Sequence, residues 1–142
     1  ETLLSNVFAD FDKHLDPKTR KNIIIELQIA DVFADMPAYF TARDLLQNAG
    51  YRICIDALTS ANFPQIGRHI LGFDLVKMFW NADVKNSAKT LQEAIDSCGR
   101  TRVILARCDA AEAIYYGQSL GITLFQGRYV DSIVNPESKV LN

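Results

Sequence analysis

The chain has 142 residues, which is the length of one domain or of part of one. Hydrophobic residues make up 49% and charged residues 23% of the sequence, which is typical of a folded domain and excludes a disordered or low-complexity segment. The net charge of −2 provides no basic field that would attract a nucleic acid polymer. No apolar run approaches the roughly 18 residues that a membrane span needs.

The sequence has three cysteines, Cys54, Cys98 and Cys108, and no two of them are close in sequence. A disulfide framework needs an even number of cysteines, and structural zinc sites need closely spaced pairs. We therefore expect three buried, free thiols and a cytoplasmic location, where thiols stay reduced.

Helical and strand periodicities alternate along the chain. In chain order, the pattern predicts a helix over 3–15, a strand over 22–28, a helix over 37–49, a strand over 51–58, a short helix over 62–70, a strand over 73–80, a helix over 87–98, a strand over 102–108, a helix over 110–120 and a strand over 122–127. Residues 131–142 show no clear period.

This alternation predicts an α/β fold with a parallel sheet, because parallel strands need a crossover between them that is usually a helix. The predicted strands are nearly continuous apolar runs, as expected when helices cover a sheet. No internal repeat, linker or change of composition divides residues 1–142, so we predict a single domain. Two architectures remain open, namely a doubly wound sheet and part of a (β/α)8 barrel.

A polar residue lies near the C-terminal end of four predicted strands, two positions after an apolar residue on the same face: Glu26, Asp56, Lys77 and Gln126. In parallel α/β folds, ligands bind at the C-terminal strand ends. Two carboxylates, a lysine and an amide at this edge indicate a polar site for a hard cation or a phosphate. The alternative is that each residue lies at the solvated rim of the sheet without a ligand.

Four segments resemble, in order, the motifs of one family: IELQ (25–28), LLQNAGYRICIDAL (45–58), FDLVKMFW (73–80) and LGITLFQGRY (120–129). They are similar to the Glu-x-Thr metal strand, the helix and strand before the Asp-Asp pair, the Lys-Ile-Asp strand and the closing Gln-Gly segment of the EAL domain. Residues 5–129 thus resemble the C-terminal part of that cyclic-di-GMP phosphodiesterase family. The resemblance implies about five βα units of a (β/α)8 barrel that lacks the first strands, and hydrolysis of cyclic di-GMP with Mg²⁺ or Mn²⁺.

The chain departs from the family pattern at acidic positions. The Asp-Asp pair reads Asp-Ala, Lys-Ile-Asp reads Lys-Met-Phe, and the Ala-Glu-Gly-Val-Glu segment aligns with LARCD at 105–109. The acidic positions lost in this way are Ala57, Phe79 and Ala106. Asp109 occupies the position of the second glutamate in the Ala-Glu-Gly-Val-Glu segment.

The resemblance leaves only Glu26 and Asp56 as metal ligands. Two-metal hydrolysis of a phosphodiester needs enough carboxylates to hold two ions about 4 Å apart. The implied site is therefore vestigial, with no catalytic residue, no strongly bound cofactor and at most one weak Mg²⁺. Lys77 would be a relic that contacts a ligand phosphate or forms an ion pair with Glu26 or Asp56, and the ring of Phe79 would partly plug the site.

From the resemblance we predict a catalytically inactive EAL-like domain that acts in bacterial signalling as a cyclic-di-GMP receptor or as a protein-interaction scaffold. Its ligand-binding residues would be Glu26, Asp56, Lys77 and Gln126. One alternative is an active metal-dependent phosphodiesterase whose missing acids come from Asp109 or from segments outside this chain. Another is an unrelated α/β domain. Because a barrel without its first strands leaves two open sheet edges, we also expect further segments, a protein partner or a homodimer to close them.

Overall fold

The structure, a computed structural model, describes residues 17–134 of the chain. The predicted helix over 3–15 and residues 135–142 of the tail lie outside the described residues. Residues 17–134 form an α/β fold in which strands alternate with helices, as the sequence predicted. Within this range, no helix combines the length and the apolar character that crossing a bilayer requires.

A strand is present in each of the five predicted places: β1 (Ile24–Gln28), β2 (Arg52–Leu58), β3 (Leu75–Phe79), β4 (Val103–Ala106) and β5 (Leu124–Phe125). The helices of the described residues are α1 (Pro17–Arg20), α2 (Ile29–Ala34), α3 (Met36–Asn48), α4 (Arg68–Leu71), α5 (Asp83–Asn86), α6 (Ala88–Cys98), α7 (Ala111–Ser119) and α8 (Arg128–Val134). Two 3₁₀ turns lie at Phe63–Gln65 and Arg100–Arg102.

The predicted helix over 62–70 was wrong. The chain forms the 3₁₀ turn Phe63–Gln65 and then the four-residue α4. Ile66 and Gly67 between them have extended backbones, with φ angles of −92° and −111°, so the two turns cannot join into one helix.

Several element ends differ from the prediction. The strands β4 and β5 are shorter than predicted at both ends. At their C-terminal ends, Arg107 (φ 61°) and Gly127 (φ 153°) leave the extended conformation. The short helices α1, α2, α5 and α8 were not predicted, and α8 includes residues 131–134 of the segment without a clear period.

The strands form one parallel sheet whose order follows the chain order, β1-β2-β3-β4-β5. A doubly wound sheet reverses its strand order at a switch point, and its helices cover both faces. Crossovers between parallel strands are right-handed in almost all proteins, so an order without reversal places the helices on a single face. The doubly wound alternative is therefore excluded for the described residues.

The two faces of the sheet differ in burial, as this strand order requires. The core face packs against the helices and carries the fully buried side chains of Ile53, Ile55, Val76, Met78, Val103 and Leu105. On the opposite face burial varies from residue to residue: Cys54 is fully buried, whereas Ile24 and Leu124 on the edge strands are 38% and 39% exposed. Because the strand order places the helices of residues 17–134 on the other face, we call this surface the helix-free face; it carries Ile24, Glu26, Cys54, Asp56, Lys77, Phe79, Ile104, Ala106, Leu124 and Gln126.

Helix α7 approaches the core face so closely that only glycine fits at position 117. A Cβ atom there would lie 2.5 Å from Cε1 of Phe125 and 2.9 Å from Cδ2 of Leu105. Leu105 is fully buried, and a closely packed core accommodates added atoms only at a cost in stability. This contact holds α7 against β4 and β5, the two strands at one side of the candidate site.

We expect Gly117→Ala to lower the free energy of unfolding by about 1–3 kcal/mol, because the added methyl group overpacks the helix–sheet contact. Helix propensity alone would predict the opposite, a gain of about 1 kcal/mol. Gln118→Ala, at the neighbouring exposed position of α7, is the matched control and should change stability by less than about 0.5 kcal/mol. Urea unfolding measures both effects, and a stabilised Gly117→Ala variant would contradict the close approach.

Candidate functional site

The four polar residues predicted as a site lie together on the helix-free face. A cavity of about 330 Å³ across this face is lined by Glu26, Lys77 and Gln126. A second cavity of about 350 Å³, at the C-terminal ends of the strands, is lined by Asp56, Lys77 and Gln126. We call this second cavity the mouth. Because Lys77 and Gln126 border both cavities, the four residues lie around two adjoining cavities.

Lys77 on β3 reaches across β2 to β1, where its Nζ donates a hydrogen bond to Oε1 of Glu26. The Lys77 side chain is only 13% exposed, whereas that of Glu26 is 42% exposed. Burial acts to lower the pKa of Lys77, but the hydrogen bond and the negative charge of Glu26 outweigh burial and raise the pKa above its ordinary value. Lys77 is therefore an ammonium ion at neutral pH, and its ion-pair partner is Glu26 and not Asp56.

Asp56 is held by two hydrogen-bond donors near the end of β2. Its Oδ1 accepts a hydrogen bond from the Ala57 backbone N–H at 2.7 Å, and its Oδ2 accepts one from Nε2 of Gln28 at 3.3 Å. Ala57 has a φ of 69°, and the pairing of β2 with β3 shifts register between Ile55 and Leu58. This bulge interrupts the alternation of side chains directly after Asp56.

In this arrangement both carboxylates already accept hydrogen bonds that a cation would have to compete with. Mg²⁺ requires oxygen ligands in nearly octahedral geometry, but Glu26 faces an ammonium ion and Asp56 faces two N–H groups. Among residues 17–134, no three His, Cys, Asp or Glu side chains lie close enough together to hold a metal ion. A cation would have to displace Lys77 from Glu26, so the weak Mg²⁺ site stays a prediction.

Phe79 lines the mouth together with Ala106, and a guanidinium group covers its ring. The Cζ atom of Arg107 lies 3.8 Å from the centroid of the Phe79 ring. Arg107 follows β4 directly and has a φ of 61°, a conformation that costs a residue with a side chain about 1–2 kcal/mol. Arg128 also lines the mouth, and its backbone N–H donates to Oδ1 of Asp109 at 3.1 Å.

Arg107 and Arg128 were not predicted as site residues. A signal existed for Arg107, because residues 105–109 align with Ala-Glu-Gly-Val-Glu and Arg107 stands where that motif has glycine. A glycine position suggests a backbone with positive φ, which other residues adopt only under strain. Arg128 lies beyond the last predicted strand, where the periodicity gives no position relative to the sheet.

The three cysteines are free and buried, as predicted. Cys54 lies opposite Glu26 in the register of β1 and β2, and burial raises the pKa of its thiol to about 12. Burial also raises the pKa of Cys98 and of Cys108. Because the thiolate is the reactive form, burial makes these thiols poor nucleophiles at neutral pH.

No model of a known protein family matches the chain, and a search of curated proteins finds no match. The fold and the site therefore define the class of protein by themselves. It is an α/β domain with a five-stranded parallel sheet, a helix-free face and an ion-paired polar cluster near the C-terminal strand ends.

Removing the members of the ion pair singly and together tests its contribution to stability. We expect Glu26→Leu to lower the free energy of unfolding by about 1–3 kcal/mol, because the largely buried Lys77 ammonium loses its partner. Lys77→Met should cost less, since the more exposed Glu26 can be hydrated. The double variant should be more stable than Glu26→Leu alone, as urea unfolding at neutral pH can show. Costs that simply add in the double variant would contradict a direct ion pair.

The ion pair also predicts a pH dependence. Because the pKa of Lys77 in the folded state lies above its ordinary value of 10.5, the stabilisation is complete below that pH and is lost as the pH rises through the folded-state value. The wild-type chain should therefore lose stability relative to Lys77→Met above pH 10.5. A difference that stays constant at higher pH would contradict the pairing.

The strained backbone at Arg107 leads to a further prediction. We expect Arg107→Gly to preserve the free energy of unfolding or to raise it by up to about 1 kcal/mol, because glycine adopts positive φ without a clash of Cβ. Arg52→Gly is the matched control, since Arg52 is an exposed residue of β2 without positive φ, and it should cost roughly 0.5–1 kcal/mol. Denaturant unfolding measures both variants, and equal losses at the two positions would contradict the strain.

Proposed function

We propose that this chain is a catalytically inactive, EAL-like domain that binds cyclic di-GMP at the mouth and acts as a receptor in bacterial signalling. In this proposal the five strands are consecutive strands in the wall of a (β/α)8 barrel. The helix-free face is then the side of the sheet that faces the barrel interior, and the mouth is its C-terminal opening.

The sheet supports the barrel part of this proposal. In a (β/α)8 barrel each strand pairs with its neighbour in the chain, the helices lie outside, and active sites are built at the C-terminal strand ends. The described residues share the strand order and the one-sided helices, and they place polar side chains at the C-terminal ends. The edge strands β1 and β5 are where the remaining strands of such a barrel would pair.

The single observation that carries the loss of catalysis is the ion pair of Lys77 with Glu26. Two-metal hydrolysis needs carboxylates that are free to hold two cations and the water between them. Here an ammonium ion occupies the position of a cation beside Glu26, and Asp56 accepts hydrogen bonds from N–H groups. The three lost acidic positions supply no replacement ligands.

The mouth contains groups that bind a phosphodiester without a metal. Arg107 and Arg128 are both exposed there, and neither forms an ion pair with a carboxylate of the described residues. Guanidinium groups bind phosphate oxygens through parallel N–H donors. Gln126, also exposed, adds an amide that can donate to and accept from ribose or base. These groups suit a ligand that combines phosphates with purine bases.

We expect calorimetric titration of the chain with cyclic di-GMP to show binding of equal affinity with and without Mg²⁺, because guanidinium and amide groups provide the contacts. Chromatography of the incubated ligand should show no linear dinucleotide. Arg128→Ala should weaken binding by about 10-fold or more, the effect of one lost charge-assisted hydrogen bond. Arg52→Ala, at the opposite end of the sheet, is the matched control and should leave the affinity unchanged.

Hydrolysis that requires Mg²⁺ would contradict this proposal and support the metal-dependent phosphodiesterase instead. Asp109→Ala would then show whether Asp109 supplies a missing acid, since activity would be abolished by the substitution. Binding that requires Mg²⁺, even without hydrolysis, would contradict the metal-free contacts proposed for the mouth.

One observation favours a protein-interaction scaffold as the second candidate function. The helix-free face exposes Ile24 and Leu124 on the edge strands, to 38% and 39%, and edge strands present unpaired backbone groups. For a homodimer, light scattering should give about twice the 15.9 kDa mass of the chain, and Leu124→Lys should lower it towards one copy. A single 15.9 kDa species that unfolds cooperatively would contradict the homodimer.

A further inference from the structure

Phe79 and Arg107 are in contact at the mouth, and no ion pair within the described residues holds the Arg107 guanidinium there. The guanidinium carbon of Arg107 lies 3.8 Å from the centroid of the Phe79 ring, which is direct contact. Among residues 17–134, no carboxylate lies within ion-pair distance of Arg107, and its guanidinium donates no hydrogen bond. Within the described residues, the ring is thus the group that positions this cation.

The loop that carries Arg107 is fixed by backbone contacts with the segment after β5. The N–H of Cys108 donates to the carbonyl of Gln126 at 2.9 Å, and the N–H of Tyr129 donates to the carbonyl of Cys108 at 3.0 Å. Gly127 lies so close to Cys108 that a Cβ atom at 127 would overlap its backbone. The backbone position of Arg107 is therefore set by the fold, so a ligand does not have to order this loop.

The backbone at Arg107 is held in a conformation that favours glycine, with a φ of 61°. Strain of this kind persists where the surroundings enforce it and is concentrated at functional sites. Its result here is that one side of the guanidinium rests on the half-buried Phe79 ring, while Arg107 as a whole is exposed. Phe79 and Arg107 both line the mouth, so the guanidinium lies where a ligand in the mouth can contact it.

We propose that Phe79 and Arg107 form a stacking platform on which a purine base lies flat against the outer side of the guanidinium. Guanidinium groups stack on flat π-systems and also attract phosphate, so one residue contacts both parts of a nucleotide. This assignment rests on the proposed function, because it places one base of cyclic di-GMP on the platform. It adds two residues that the resemblance does not supply, since the family motifs have an acid and a glycine at these positions.

The test uses the full chain and two probes. Cyclic di-GMP is titrated by calorimetry, and 2-aminopurine riboside 5′-monophosphate is titrated by fluorescence, which is quenched when the base stacks. Arg107→Lys keeps the charge but removes the flat guanidinium, and Phe79→Leu removes the ring but keeps an apolar side chain. Arg52→Lys, at an exposed position on the opposite end of the sheet, is the matched control.

We expect Arg107→Lys and Phe79→Leu each to weaken cyclic-di-GMP binding by about 5- to 150-fold, the range measured for losing one base stack. Both substitutions should also remove the quenching of 2-aminopurine, while Arg52→Lys should change neither signal. Circular dichroism shows whether each variant is folded. Arg107→Gly, whose backbone the fold favours, provides a second variant with the same expected loss.

The outcomes separate this platform from the proposed function. Binding of cyclic di-GMP that neither substitution weakens would overturn the platform and leave the receptor in place. Quenching of 2-aminopurine that depends on Arg107, without any binding of cyclic di-GMP, would overturn the receptor and support the platform. A chain that binds neither probe would overturn both.

Discussion

The order of the strands determines where the core and the candidate site lie. Each strand pairs in parallel with its neighbour in the chain, and right-handed crossovers then place the helices on one face. Alternate residues of β3 show the consequence, because Val76 and Met78 are fully buried in the core, whereas Lys77 and Phe79 lie on the helix-free face and are partly exposed. Every group considered for ligand binding projects from this second face or from the loops at its C-terminal end.

Lys77 lies in β3, the central strand of the sheet, where its positive charge needs a nearby counterion. Lys77 is largely removed from water, so leaving its charge without a partner would destabilise the fold, and Glu26 two strands away satisfies it. The carboxylate that serves as a counterion is then occupied and unsuited to hold a divalent cation. The stability of the fold and the binding of a divalent cation would therefore compete for the Glu26 side chain.

Local sequence patterns were sufficient for the strands but not for their arrangement. Short, mostly apolar runs located all five strands. The periodicity is the same for a doubly wound sheet and a barrel, so only the structure gives the strand order. Glu26 and Lys77 were predicted from alternation along their strands. The prediction left Glu26 and Asp56 open as the partner of Lys77, because the choice depends on the registers of β1 with β2 and of β2 with β3. Arg107 was missed because its position depends on its own positive φ directly after β4, which strand periodicity does not predict.

We propose that the mouth binds cyclic di-GMP without a metal while Lys77 remains the partner of Glu26. The most direct measurement is a crystal structure of the chain grown with cyclic di-GMP and Mn²⁺, whose anomalous scattering locates the metal. We expect an intact cyclic dinucleotide at the mouth, an unbroken Lys77–Glu26 pair and no Mn²⁺ at either carboxylate. Mn²⁺ bound by Glu26 and Asp56, or a linear dinucleotide in the site, would contradict it.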